Sequence, residues 1–286
     1  MSLKSRQRLN LVLAILVLGL VALFYFKPGS RDASQLPPLV PGAANLQSIR
    51  LALAGSPEVQ LQRQGTAWRM QSPLAWAADV VQVQDFLDSL DAPVENQFPA
   101  EAAALSQYGL DKPLLKFWLD GVEYDLGAQQ PVTKERYVLT GGTVKLIDDY
   151  VFYRAAHDAY GWLDHRLLPD GARITSMQLP HATFTQDAKG AWQIAPPDKT
   201  LTADDLSHFV DAWQKARAVN VAPYAKARVL GEVYFQLAGV KDPLRMQVLD
   251  DPDYLVLARP DLGFEYQMDI SQLGTLMTPA HQDRAH

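Results

Sequence analysis

The chain has 286 residues, 26 Lys plus Arg against 32 Asp plus Glu for a formal net charge of −6, and no cysteine. Lack of cysteine excludes disulfides, thiolate metal sites and lipid acylation of a cysteine, so stability must come from apolar cores. An acidic balance excludes a nucleic-acid partner, which calls for cations to meet phosphates, and gives no electrostatic reason to lie on anionic lipid.

The first element is an apolar run, Leu9 to Phe26, in which Asn10 is the sole strongly polar side chain. At about 1.5 Å rise per residue it reaches roughly 27 Å, close to the hydrocarbon thickness of a bilayer. Lys4, Arg6 and Arg8 precede it and no acidic residue occurs before Asp32. The positive-inside rule therefore predicts residues 1–8 in the cytoplasm, a transmembrane anchor over 9–26 and the remainder outside. A cleaved signal peptide shares this plan, but the run exceeds a usual h-region and exits through Phe24-Tyr25-Phe26-Lys27-Pro28 in place of a small-x-small cleavage site. Setting aside the three leading cations, 23 basic residues face 32 acidic ones, so the exported part carries about −9.

Residues 27–45 hold Pro28, Pro37, Pro38 and Pro41 with little apolar periodicity, and read as an extended linker. Beyond it the chain repeats itself. Alternating segments at Ile49–Leu53 and Val59–Arg63 lead through Gly65 to Trp68 and Pro73. Ile174–Leu179 and Thr183–Gln186 lead likewise through Gly190 to Trp192 and Pro197, with both the tryptophans and these prolines 124 residues apart. Each copy then enters an amphipathic helix with apolar positions at i, i+3, i+4 and i+7. These are Val83, Phe86, Leu87 and Leu90 in the first copy and Leu206, Phe209, Val210 and Trp213 in the second, every pair offset by 123. Asp79 with Gln82, and Thr202 with Asp205, resemble capping boxes at the helix starts.

Four strands are expected after each helix. In the first copy they are Leu114–Leu119, Val122–Leu126, Arg136–Thr140 and Thr143–Ile147, turned by Asp120-Gly121 and Gly141-Gly142. In the second they are Val233–Leu237, Leu244–Leu249, Tyr254–Ala258 and Phe264–Met268. The expected fold class is α+β: two tandem modules of β-β-β-α-β-β-β-β order, each an antiparallel sheet covered by a helix. The modules span 46–155 and 172–276, with a connector at 156–171 and a polar tail at 277–286. Only the first copy inserts Pro99–Pro113, where Pro99-Ala100-Glu101-Ala102 opens a short helix that Gly109 ends; the second connects through Ala222–Gly231.

Tyr108-Gly109-Leu110-Asp111-Lys112-Pro113, Lys116-Phe117-Trp118-Leu119, Leu126-Gly127, Arg136-Tyr137-Val138 and Val144-Lys145-Leu146-Ile147 together resemble the domain-of-unknown-function family 4340. Trp162-Leu163-Asp164-His165-Arg166-Leu167-Leu168 is similar to the stretch between modules in that family, and the resemblance covers roughly residues 45–275. It implies an anchored envelope protein, of a kind that often accompanies ABC-transporter components of the gliding-motility auxiliary type. It carries over no catalytic residue, and its family-like turn is Tyr108, Gly109, Leu110, Asp111 and Pro113.

Chemistry-bearing patterns are sparse. His157, His165, His181 and His208 show no i, i+4 pairing or HExxH spacing, and His281 and His286 fall in the tail. Asp250, Asp251 and Asp253 suit a solvated hairpin turn better than a calcium loop, which would need a glycine and a distal glutamate. Asp148-Asp149 follows a strand in the same way. Asp164-His165 near Tyr160, with Ser176 as nucleophile, would make a hydrolase triad only by geometry, since G-x-S-x-G is absent. Trp68 and Trp192 are expected as core staples, with ligand binding the other use of a repeated tryptophan.

The expected role is an accessory or scaffolding subunit of an envelope complex, not an enzyme, anchored by its N-terminal helix in a bacterial inner membrane with its modules in the periplasm. Its partners would be other envelope proteins such as ABC-transporter permease or ATPase components. No cofactor or metal is implied, and the oligomeric state stays open. The alternative is an enzyme or ligand-binding module acting on an envelope glycan or lipid; carboxylate-pair glycosidases leave little local signature.

Overall fold

The computed structural model describes residues 36–280 and, apart from them, Val17. The expected cytoplasmic start and the anchor over 9–26 thus lie outside the described residues, Val17 excepted, as do the first part of the proline-rich stretch and the tail from 281. Among the described residues no helix is long and apolar enough to cross a membrane.

Two antiparallel sheets with a few helices make the body α+β. The first module runs β1 (Ser48–Leu53), β2 (Val59–Gln64), β3 (Ala67–Ser72), β4 (Trp76–Ala77), α1 (Val80–Ser89), β5 (Asn96–Pro99), β6 (Leu115–Leu119), β7 (Val122–Gln129), β8 (Arg136–Thr140), β9 (Thr143–Ile147) and α2 (Tyr150–Ala155). The second runs β10 (Ile174–Gln178), β11 (Thr183–Gln186), β12 (Trp192–Ala195), α3 (Ala203–Lys215), β13 (Asn220–Pro223), β14 (Val229–Leu237), β15 (Leu244–Leu249), β16 (Tyr254–Arg259), β17 (Phe264–Asp269) and α4 (Gln272–Met277). Sheet orders are β4-β3-β2-β1-β6-β7-β8-β9-β5 and β12-β11-β10-β14-β15-β16-β17-β13.

Period-two alternation puts Ile49, Leu51, Val59, Leu61, Met70 and Phe117 on one face of the first sheet, all buried in the main core. There they meet Val83, Phe86, Leu87 and Leu90 of α1, with Phe86 edge-on to Phe117 at 5.6 Å between ring centroids. In the second module Leu206, Phe209, Val210 and Trp213 of α3 do the same, with Phe209 stacked on Phe184 at 4.9 Å. The Asp79 carboxylate caps α1 by accepting the Val81 and Gln82 N–H groups at 2.8 and 3.0 Å. Thr202 and Asp205 form a full capping box on α3. Gln82 does not complete such a box: its side chain donates instead to the Arg154 carbonyl in the last turn of α2, at 3.0 Å.

The expected strand order needs correction, because five strands, not four, follow each helix. The additional ones, β5 and β13, are edge strands that pair only with β9 and β17 and end in Pro99 and Pro223. A proline is tolerated at a sheet edge, so the composition of these segments resembles a loop. Their placement explains the inserted segment. Since β5 closes the edge beside β9 while β6 lies mid-sheet between β1 and β7, residues 100–114 must cross the face opposite α1. A 3-10 turn at Ala102–Tyr108 lies over that face, and Tyr108 packs on Tyr137 of β8 with centroids 4.7 Å apart. The shorter segment of the second module makes the same crossing, Tyr224 and Ala227 covering Leu249, Val256 and Ala258.

The expected linker also changes. Its described portion is docked: Val94 N–H donates to the Pro37 carbonyl and Leu39 N–H to the Ala92 carbonyl, each at 2.9 Å, with Leu39, Val40 and Ala43 buried. The surrounding prolines mask these three apolar side chains in the sequence.

Register settles how the copies correspond. Trp68 opposes Arg63 as Trp192 opposes Gln186. Between Gln60 and Leu61 the β2–β3 ladder shifts, pairing Gln60 with Ser72 and Leu61 with Met70, so Gln71 is an extra, bulged residue. No shift occurs where Thr183 pairs with Ala195 and Phe184 with Ile194. Hence the offset falls from 124 at the tryptophans to 123 at the helices. Pro73 corresponds to Pro196, not to Pro197, and both Ser72-Pro73 and Ala195-Pro196 are cis.

Candidate functional site

The connector, residues 156–171, is the centre of the molecule. Its Trp162 is fully buried, edge-on to Phe86 of α1 at 5.7 Å, and one continuous apolar core includes both modules and this segment. Its backbone pairs in both directions. Toward the first module, Asp79 N–H donates to the Trp162 carbonyl and Asp164 N–H to the Ala77 carbonyl, both at 2.9 Å. Toward the second, Ala218 N–H donates to the His165 carbonyl at 2.8 Å and Leu167 N–H to the Ala216 carbonyl at 3.2 Å. The connector thereby joins the β4 edge of one sheet to the chain leading into β13 of the other.

A charged chain follows the same path. Arg217 of the second module reaches Asp79 at 3.1 Å, so one carboxylate caps α1 and holds the neighbouring module, and it lies 3.9 Å from Asp164. Asp164 is buried and accepts from the Arg166 N–H at 3.0 Å and its guanidinium at 2.7 Å. Arg166 also pairs with Asp170. The Asp164 carboxylate beside it holds the Arg166 guanidinium above its ordinary value. These bonds decide against the triad arrangement, because the Asp164 carboxylate is taken by Arg166 and not by His165.

Beside this splice a cleft of about 510 Å³ opens between the β3–β4 hairpin and residues 164–170. Trp68, Trp76, Val80 and Leu168 contribute its apolar surface, and Arg69, Asp164, Arg166 and Asp170 its polar one. Trp76 is half-buried and also meets the second module: its ring lies 5.8 Å from that of Phe264 and 5.0 Å from the Arg259 guanidinium. Behind it Tyr266 is fully buried, which raises the pKa of its phenol far above the ordinary value.

The other expected residues serve elsewhere. Trp68 and Trp192 are buried to 5% and 8% exposure as core staples, and only Trp68 touches the cleft. Asp250 pairs with Arg228 at 2.7 Å, while Asp251 accepts the Asp253 and Tyr254 N–H groups at 2.9 Å, so that acidic group is a turn and an ion pair. Asp149 pairs with buried Arg136, whose guanidinium also donates to the Gly127 carbonyl at 2.6 Å. Among the described residues no three His, Asp or Glu side chains converge as a metal site requires. In the family-like turn, Gly109 has a positive φ of 66° and Leu110 is buried. A Cβ on Gly127 would fall 2.3 Å from the Tyr108 carbonyl oxygen, so the glycine lets two backbones touch where the crossing segment lands on β7. The periodicity that located the helices did not single out Trp76, Arg69, Arg166 or Arg217. Trp76 stands out only by contrast, since the second copy offers no aromatic between Pro196 and Leu201.

The model of the family described as Domain of unknown function (DUF4340) matches residues 68–236. That is more than half of the chain, and the chain belongs to this family. The matched stretch runs from β3 across the connector to β14, so it includes every cleft residue from Trp68 onward and the splice itself. Comparison with curated proteins and with solved structures returns no match.

Proposed function

We propose that the chain is a membrane-anchored periplasmic scaffold, an accessory subunit of an inner-membrane complex of the ABC-transporter type, in which the double module is the surface that meets partner proteins. One observation carries the reading: the two modules share one core and are spliced through Trp162 and Arg217, so they present their surfaces in a fixed mutual orientation, as a scaffold requires. The apolar run Leu9–Phe26 with its leading cations supports the anchor and the orientation, N-terminus in the cytoplasm and modules in the periplasm.

Two measurements test it. Periplasm-dependent reporters fused after Lys27 should be active, and activity restricted to cytoplasmic reporters overturns the topology. In-cell crosslinking of the full-length chain should recover a permease or ATPase component. Recovery of the chain alone, with the topology intact, overturns the scaffold role.

A further inference from the structure

The cleft has a property that its part in joining the modules does not use. Arg166 lies between two carboxylates, Asp164 and Asp170, the first also approached by Arg217, whereas Arg69, exposed on the opposite side, donates only to the Ala75 carbonyl at 3.2 Å and makes no ion pair among the described residues. One guanidinium without a direct ion-pair partner therefore faces a cleft whose lining carries two arginines and two aspartates and also offers indole surface.

We propose that this cleft binds an acidic sugar, a pyranose ring bearing a carboxylate or phosphate. Three observations converge. First, about 510 Å³ lies within the range of small-molecule sites. Second, the half-buried Trp76 supplies apolar surface against which the C–H face of a sugar ring packs, while the Asp170 carboxylate, 83% exposed, retains lone pairs for ring hydroxyls. Third, Arg69 supplies the planar fork that takes a carboxylate or phosphate in two parallel bonds. A fatty acyl chain fits less well, because it would desolvate the four charged side chains of the lining without satisfying them. Binding here does not rest on the scaffold role, since neither Trp162 nor Arg217 lines the cleft.

Calorimetric titration of the detergent-solubilised full-length chain tests the assignment, with digalacturonate and glucose 6-phosphate as acidic probes, lactose as the neutral one and laurate as the acyl one. At least one acidic probe should bind one per chain. Arg69→Gln should weaken it about tenfold or more, as loss of a charge-assisted hydrogen bond implies, while Arg69→Lys, which keeps the charge but not the fork, should fall between the two. Because Arg69 is exposed, an unchanged thermal midpoint will show that the glutamine variant is folded. Failure of both acidic probes at millimolar concentration overturns the proposal. So do equal affinities for lactose and the acids, unaltered binding by Arg69→Gln, or uptake of laurate in place of the sugars.

Discussion

Lys116 and Glu232 occupy the same register position in the two sheets, and their ion pairs run in opposite directions. Lys116 opposes Asp125 and reaches Glu123 at 2.9 Å; Glu232 opposes Gln247 and pairs with Arg245. Trp118 and Tyr234 are likewise equivalent, next to the pair in each case. A hydrogen bond from Lys116 holds the Glu123 carboxyl below its ordinary value, and one from Arg245 does the same for Glu232. Asp125 goes the other way, raised by burial against the pull of Lys116.

Inverting the first module's pair to match the second is therefore a three-residue change. Lys116→Glu alone gathers three carboxylates and should lower stability. Lys116→Glu with Glu123→Arg should recover part of the loss, and adding Asp125→Gln most of the rest, since the second module carries Gln247 there. The pair is more than one-third exposed, so the coupling should be only about 0.5 kcal/mol. Urea midpoints of the four proteins read it, and a double variant no more stable than Lys116→Glu alone would refute the coupling.

Gly127→Ala should lift the segment that crosses the sheet. Its new methyl would fall 2.3 Å from the Tyr108 oxygen and 3.0 Å from the Leu110 side chain, at an expected cost of about 1–3 kcal/mol by overpacking. Limited proteolysis should then cut within 100–113 before the sheets open. Gly121→Ala, whose Cβ meets nothing within 4 Å but whose φ is +87°, is the comparison that separates backbone strain from the steric clash.

Trp162→Ala should remove about 3–5 kcal/mol and divide one cooperative unfolding transition into two, because that ring belongs to both modules' shared core. Arg217→Met should weaken the same junction by about 1–2 kcal/mol, as Asp79 loses a partner whose own side chain is 47% exposed. Differential scanning calorimetry distinguishes one transition from two. A single undivided transition in Trp162→Ala would mean that the backbone pairing alone couples the modules.

His157 gives the junction a pH dependence. It lies edge-on to Trp162 at 6.0 Å, and burial pushes its pKa below the ordinary 6.5, with Asp158 opposing and Arg154 assisting. Between the depressed value and 6.5 the unfolded chain binds more protons than the folded one, so stability rises with pH. The contribution is complete above 6.5 and is lost as pH falls through the folded value. Denaturation midpoints should therefore decline as pH falls from 6.5 to the folded value and level off below it, and His157→Gln should flatten that part of the profile.

The core was legible in the sequence because burial of alternating and i, i+3, i+4 positions leaves a pattern at each residue. Thus Val83, Phe86, Leu87 and Leu90, and their four counterparts in α3, are all buried as expected. β5 and β13 were not legible: an edge strand hydrogen-bonded on one side needs no apolar alternation, and Pro99 and Pro223 disguise it further. The cleft was hidden for another reason. Its residues come from β3, β4 and the connector, and the pairing of Ala78 with Leu163 brings the connector to the hairpin. Contacts between distant segments leave no local period.

The surfaces that join the modules do not recur at the outer ends of the pair. In the first module Thr140, Thr143 and Lys145 stand where Arg259, Phe264 and Tyr266 receive Trp76, and β12 lacks a companion strand like β4. Among the described residues the joint is therefore one of a kind: the Trp76 plug and the socket of Arg259, Phe264 and Tyr266 meet once, between two copies that are alike in fold and unlike in the faces they turn to each other.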